Sequence, residues 1–281
     1  MTYLRPRTLE HALKELARSR WRILAGGTDF FPELHDRPVD GPVLDISGLC
    51  NLKVIREETE YWRIGAMATW SELIASDLPC AFDGLKLAAS QIGSIQIQNQ
   101  ATVVGNICNA SPAADGVPPL LTLDAKVELA STRGVRRVDL SEFVVDNRST
   151  VREGDELVTG ILVPKLSAKG AASFLKLGAR RYLVISIVMV ACRLVTDDAK
   201  RIVEVALSVG ACSAVAKRLW DLEAHLAGLT LHEGTIPPID MSLLDGLQPI
   251  SDVRSTASGR LLAARELLVR ALLAAAEEGS E

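Results

Sequence analysis

Paired cysteines are missing from this sequence. Its five, Cys50, Cys80, Cys108, Cys192 and Cys212, are odd in number and form no C-x-x-C. A disulfide framework, a zinc ribbon and an iron–sulfur cradle all need paired spacing, so none is expected and no metal site is assigned. Buried free thiols in a reducing cytoplasm are the expectation. There is no long Lys/Arg run and the net charge is −4, which argues against nucleic acid and anionic membrane as partners. The most apolar stretch, Tyr182 to Val195, is too short to span a bilayer and is broken by Arg193. Residues 1–7 lack the apolar core of a signal peptide, so a cytoplasmic protein is expected. His11, His35, His225 and His232 fall at neither metal nor triad spacing and read as surface residues. Glu33, His35 and Asp36 read as a solvated turn. Neither G-x-G-x-x-G nor G-x-x-x-x-G-K-[ST] occurs, so any dinucleotide site must be of another design.

What is present is a chain of 281 residues, 48% hydrophobic, able to bury a core and long enough for one large domain or two to three small ones. Thr8 is placed to cap a helix in which Leu9, Ala12, Leu13 and Leu16 repeat at helical spacing, ending near Ser19. Trp21 to Ala25 and Val43 to Ile46 read as strands. A second unit starts near Tyr61, where Trp62, Ile64 and Ala66 alternate. Thr69 and Glu72 form a capping-box pattern, and Leu85 to Ile92 continues as helix. Gly93 to Pro119 reads as one long polar loop. Strands are expected at Val127 to Ala130, Val135 to Asp139 and Leu157 to Val163. After a linker from Pro164 to Gly170, Ser173 to Leu177, Ile185 to Leu194 and Val203 to Val209 read as a meander. Helical segments at Ser213 to Leu226 and Ser255 to Ala276 follow. Leu261, Leu262, Leu267, Leu268, Leu272 and Leu273 in the latter read as core or interface.

Two glycine-bearing segments carry chemistry. Leu24-Ala25-Gly26-Gly27-Thr28-Asp29 directly follows a strand. Consecutive glycines permit positive φ and close backbone approach, and successive free N–H groups make an anion-binding concavity. Taken alone, this is an ordinary turn. The second runs from Thr102 to Asp115 and gathers Thr, two Asn, Ser and Asp. Its side chains can donate to phosphate oxygens, and Asp115 can accept from a ribose hydroxyl. Taken alone, it reads equally well as a polar surface loop or as a phosphate-binding one.

Together the two segments resemble the FAD-binding subunit or domain of the xanthine dehydrogenase and carbon monoxide dehydrogenase family of molybdenum hydroxylases. That family carries A-G-G-T-D and T-x-G-G-N-I-x-x-x-S-P-x-x-D. This sequence shows Ala25-Gly26-Gly27-Thr28-Asp29 and Thr102-Val103-Val104-Gly105-Asn106-Ile107, then Ser111-Pro112 and Asp115. The likeness continues through Pro119 to Ala125, Gly134-Val135-Arg136, Glu156-Leu157-Val158 with Ile161 to Pro164, Phe174 to Arg181, and Asp252 to Ala257.

The resemblance implies an α+β fold. A two-subdomain FAD-binding domain of the PCMH/vanillyl-alcohol-oxidase type would cover 1–165 (subdomains about 1–55 and 56–165). A C-terminal antiparallel sheet-and-helix domain would cover 171–281. It implies non-covalent FAD, with Ile23 to Phe30 (Ile23, Leu24, Ala25, Gly26, Gly27, Thr28, Asp29, Phe30) lining the diphosphate and nearby flavin. Ile92 would pack the cofactor. Thr102, Val103, Val104, Gly105, Asn106 and Ser111 would hold the phosphates. Asp115 would bind the adenosine ribose, and Val158 and Lys176 would contact the adenine end or flavin edge. No catalytic acid or base is implied.

The molybdopterin cofactor and two [2Fe–2S] clusters would sit in a large and a small partner subunit, as a dimer of heterotrimers. Electrons would pass through FAD to NAD⁺ or another acceptor. Three departures from the family pattern stand out: Val104 for glycine, Gln98 for arginine, and Tyr182-Leu183-Val184 for a polar stretch. At Val104 a negative φ is expected, with the N–H groups of Gly105 and Asn106 gripping the cofactor. The alternative is a stand-alone flavin oxidase or reductase on the same fold. That enzyme needs its own proton donor, and none stands out.

Overall fold

The computed structural model describes residues 2–231 and 235–278; His232 and residues 279–281 lie outside them. The chain opens with β1 (Tyr3–Leu4), α1 (Leu9–Arg18), β2 (Arg22–Leu24) and β3 (Val43–Asp45). The Thr8 hydroxyl caps α1 by accepting from the His11 N–H, and Ala12, Leu13 and Leu16 form its buried stripe. β1 and β2 flank β3 in a parallel sheet.

β4 (Ile55–Glu57) and β5 (Tyr61–Gly65) start a second unit. Thr69 and Glu72 close a reciprocal capping box on α2 (Trp70–Ala75), and α3 (Asp83–Ser90) follows. The stretch from Gly93 to Pro119 is not one long loop. It holds α4 (Ile95–Gln98), α5 (Val103–Asn109) and α6 (Val117–Thr122). Helices of one or two turns draw their stability from packing, and they are too short to show a readable period. Next come β6 (Lys126–Ser131), β7 (Gly134–Asp139), α7 (Leu140–Phe143), β8 (Val144–Asp146), β9 (Ser149–Thr150) and β10 (Leu157–Pro164). β4, β5, β10, β6 and β7 form an antiparallel sheet in that spatial order.

The last unit is an antiparallel sheet of β11 (Ala171–Leu177), β12 (Val188–Thr196), β13 (Ile202–Gly210) and β14 (Lys217–Arg218), with α8 (Trp220–Leu226) and α9 (Ala257–Glu278). Ser213 to Leu226 is therefore not wholly helical. Lys217 and Arg218 pair with Val209 and Ser208 before α8 begins, a long-range contact that local propensity does not encode.

β12 explains the second part of the most apolar stretch of the sequence, from Val188 onward, while Tyr182, Leu183 and Ile185 before it are exposed. Val188, Val190, Cys192 and Leu194 join the core that holds Leu268 and Leu272 of α9. Met189 and Ala191 point the other way, against Ala88 of α3 and Phe174. A strand covered on both faces reads as a continuous hydrophobic run. Arg193, on that second face, is fully buried between the units. Its Nε donates to Thr122 O at 2.7 Å and its Nη2 to Glu204 Oε1 at 2.5 Å. Arg218 reaches back similarly, donating to Leu121 O at 3.2 Å and pairing with Asp124.

Cys192 and Cys212 are buried, but Cys50, Cys80 and Cys108 are exposed, against the expectation of buried thiols. Cys50 and Cys80 each begin a single 3-10 turn whose core positions go to Leu52 and to Ala81 and Phe82.

Candidate functional site

A cleft of about 570 Å³ is lined by the segment after β2, the start of α5, Ile92, Ile97 and the start of β10. The two glycine-bearing segments meet here through backbone. A Cβ on Gly26 would come 2.0 Å from Gln100 O, just before Thr102. Gly27 has φ +77°, the left-handed region that disfavours L side chains, and a Cβ there would strike the Phe31 ring at 2.8 Å. Both glycines are thus required by the protein's own packing.

Main-chain donors lie along this cleft beside its side-chain ones. Among the described residues, the N–H groups of Gly26, Gly27, Thr28, Asp29 and Phe30 meet no acceptor. Thr102 is the N-cap of α5 and forms a bridge with Thr69, the N-cap of α2. Its hydroxyl accepts from Gly105 N–H at 3.0 Å, and its carbonyl from Asn106 N–H at 3.1 Å. The two N–H groups expected to grip a cofactor are therefore engaged in capping. Among the described residues, the Val104 N–H meets no acceptor in that turn. Val104 lies inside α5 and is buried, so a β-branched residue suits its backbone.

Leu24, Val103, Ser111, Asp115 and Lys176 do not line the cleft. Val103 is core, and the Ser111 hydroxyl accepts from Ala113 N–H at 3.3 Å. Asp115 Oδ2 accepts from Lys176 Nζ at 2.6 Å and Oδ1 from Ser186 Oγ at 2.5 Å. Burial pushes the Asp115 carboxyl above the usual range, opposed by Lys176. Gln98, in place of arginine, is a buried neutral staple. Its Nε2 donates to Ser90 O at 3.1 Å and Ile92 O at 3.2 Å, fixing the turn that carries Ile92.

Several lining residues carried no signal in the sequence reading. Trp70 is fully buried, and among the described residues its Nε1 finds no partner; the same holds for Oδ1 of Asn106, which the sequence did single out. Gly116 fits against both, since a Cβ there would meet the Trp70 ring at 2.5 Å and Asn106 Oδ1 at 3.0 Å. Arg20, Arg22 and Arg152 place three guanidinium groups on the walls, against the carboxylates of Asp29 and Glu33. Arg22 lies over the Phe30 ring at 4.6 Å, and Glu33 pairs with Arg148 at 2.9 Å.

Residues 1–166 match the family described as "FAD binding domain in molybdopterin dehydrogenase", and residues 173–275 match "CO dehydrogenase flavoprotein C-terminal domain". The chain belongs to the FAD-binding subunits of the molybdopterin dehydrogenases. Such a subunit, the nicotinate dehydrogenase FAD-subunit of Eubacterium barkeri, is 33% identical over 86% of each chain. The xanthine dehydrogenase FAD-binding subunit of Escherichia coli O157:H7 is also 33% identical, over 92% of this chain and 90% of its own. The fold matches a chain of the reconstituted CO dehydrogenase from Oligotropha carboxidovorans with a TM-score of 0.86. That match has 25% identity and covers 99% of this chain and 98% of the other.

The cleft of this FAD-binding subunit fits the group. FAD combines a diphosphate with two flat ring systems. Free main-chain N–H groups and guanidinium groups answer the first, and the apolar side chains of Ile23, Ile92, Ile97 and Val158 answer the second.

Proposed function

We propose that this chain is the electron-transfer subunit of a heterotrimeric molybdenum hydroxylase and holds its FAD in the cleft between the two glycine-bearing segments. The observation that carries this reading is the row of acceptor-free N–H groups from Gly26 to Phe30, joined to the Val104 N–H across the cleft. That row would hold the diphosphate; Ile23, Ile92 and Val158 would enclose the rings. When bound, FAD supplies the redox chemistry, taking electrons from a [2Fe–2S] cluster of a partner and passing them to NAD⁺ or another acceptor.

The protein's own part is to bind, to orient and to exclude water. The Gln98 staple fixes Ile92, and the Thr102 cap aims the start of α5 at the cleft. FAD binding is placed in 1–165, and 171–281 packs against it. Large molybdopterin-binding and small [2Fe–2S] subunits are the partners, in a cytoplasmic dimer of heterotrimers. No helix among the described residues is long and apolar enough to cross a membrane.

The test is purification of the native complex. Two co-purifying chains with molybdenum and iron, and one acid-releasable FAD per copy of this chain, are expected. A chain isolated alone that turns over a substrate with its own flavin overturns the assignment.

A further inference from the structure

Arg152 is on neither of the two glycine-bearing segments, yet it lines the cleft. Its Nη1 donates to Glu153 O at 3.0 Å and to Glu156 O at 2.8 Å. Both hydrogens of that nitrogen are thereby used, and the guanidinium plane is fixed against its own loop. The other edge, Nε with Nη2, meets no acceptor among the described residues, and Arg152 forms no salt bridge there. The Glu156 backbone that anchors it is itself held. The Glu156 carboxylate takes two hydrogen bonds from Arg136, at 2.6 and 2.8 Å, and one from Glu153 N–H at 2.8 Å.

An anchored guanidinium with a free two-donor edge matches two oxygens of one phosphoryl group. Its entropy loss on binding is small, because the fork is already oriented. Arg152 also lines an adjoining cavity of about 500 Å³ together with Arg18, Arg20 and Trp21; among the described residues no carboxylate lines that cavity. Trp21 is held between them by its Nε1 bond to Glu15 O at 2.9 Å.

We infer that Arg152 is a phosphate receptor, whose free Nε–Nη2 edge takes two oxygens of a phosphoryl group bound in or beside the cleft. The phosphoryl group is either part of the cofactor diphosphate, which rests on the function proposed above, or a free phosphate in the adjoining cavity.

The experiment compares the full-length wild type with Arg152→Lys and Arg152→Gln. Apo-protein is titrated with FAD and with riboflavin, and thermal unfolding is followed with inorganic pyrophosphate on the apo and FAD-loaded forms. If the phosphoryl group is the cofactor's, both variants should bind FAD at least about tenfold more weakly with unchanged riboflavin affinity, and Arg152→Gln, which removes the charge, should also show a shallower salt dependence. Lysine should not restore the loss, since it offers a point charge rather than a fork. Pyrophosphate should raise the midpoint of wild-type apo-protein and not that of the variants. Pyrophosphate that stabilises only the apo form assigns the phosphate to the cofactor; stabilisation of the FAD-loaded form too assigns it to the adjoining cavity.

Unchanged FAD affinity together with an unchanged pyrophosphate response overturns the inference. Equal losses for FAD and riboflavin also overturn it, because they show support of the loop alone. A wild type that binds no flavin but is stabilised by pyrophosphate through Arg152 rejects the FAD-holding role and keeps the receptor.

Discussion

Lys176 Nζ lies 2.6 Å from Asp115 Oδ2, and both side chains are buried. One belongs to β11 and the other to the segment between α5 and α6, so the pair ties the C-terminal sheet to the FAD-binding domain. Ser186 completes the carboxylate's partners. Removing one charge leaves the other buried and uncompensated. Lys176→Met should therefore cost about 3–5 kcal/mol, while replacing both partners by neutral groups of similar volume should cost far less. A double-mutant cycle by urea unfolding of the apo-protein measures this. Additive single effects would show that the two side chains do not depend on each other.

Gly26→Ala should be worse than Gly27→Ala. The first puts a methyl 2.0 Å from a main-chain carbonyl oxygen, which cannot move without separating the two segments. The second pays left-handed strain of about 1–2 kcal/mol and pushes against the side chain of Phe31. FAD content after purification should be lost in Gly26→Ala and only reduced in Gly27→Ala. The reverse order would place the contact between segments elsewhere.

Val104→Gly should destabilise the apo-protein by about 2 kcal/mol, through lost burial and a glycine inside a helix. FAD affinity should stay level or fall slightly, because the free N–H of this turn belongs to the backbone and survives the change. Thermal unfolding and FAD titration separate the two effects. A large gain in affinity would show that the valine intrudes on the cofactor.

Glu156 gives a pH-dependent term. Hydrogen bonds from Arg136 hold its carboxyl below the ordinary value of 4.5, against burial. A depressed folded-state pKa contributes stability that is present above the unfolded value and is lost as pH falls through the folded one. Glu156→Gln should cost about 1–2 kcal/mol near pH 7, discounted because Arg136 is partly exposed. The difference from wild type should shrink as pH drops below 4.5. Urea unfolding across that range checks it; a constant difference would mean the loss is one of shape rather than charge.

The sequence by itself determined the elements whose signals are local. The Thr8 cap, the Thr69–Glu72 box and the alternation in β5 are written in adjacent residues, and each forms as its pattern dictates. The glycine-bearing segments were legible too, because glycine pairs after a strand and the Thr102 run are short motifs at fixed spacing. What only the tertiary structure decided is who faces whom. The polar stretch before Asp115 is helical because it packs, not because its residues favour helix. Arg152 became a cleft residue through a loop whose Glu156 is held by Arg136, twenty positions away. Asp115 and Lys176, sixty-one positions apart, meet each other rather than the cleft. A buried charge takes the nearest partner the fold presents, and that distance is fixed by packing between domains, which no local pattern in the chain records.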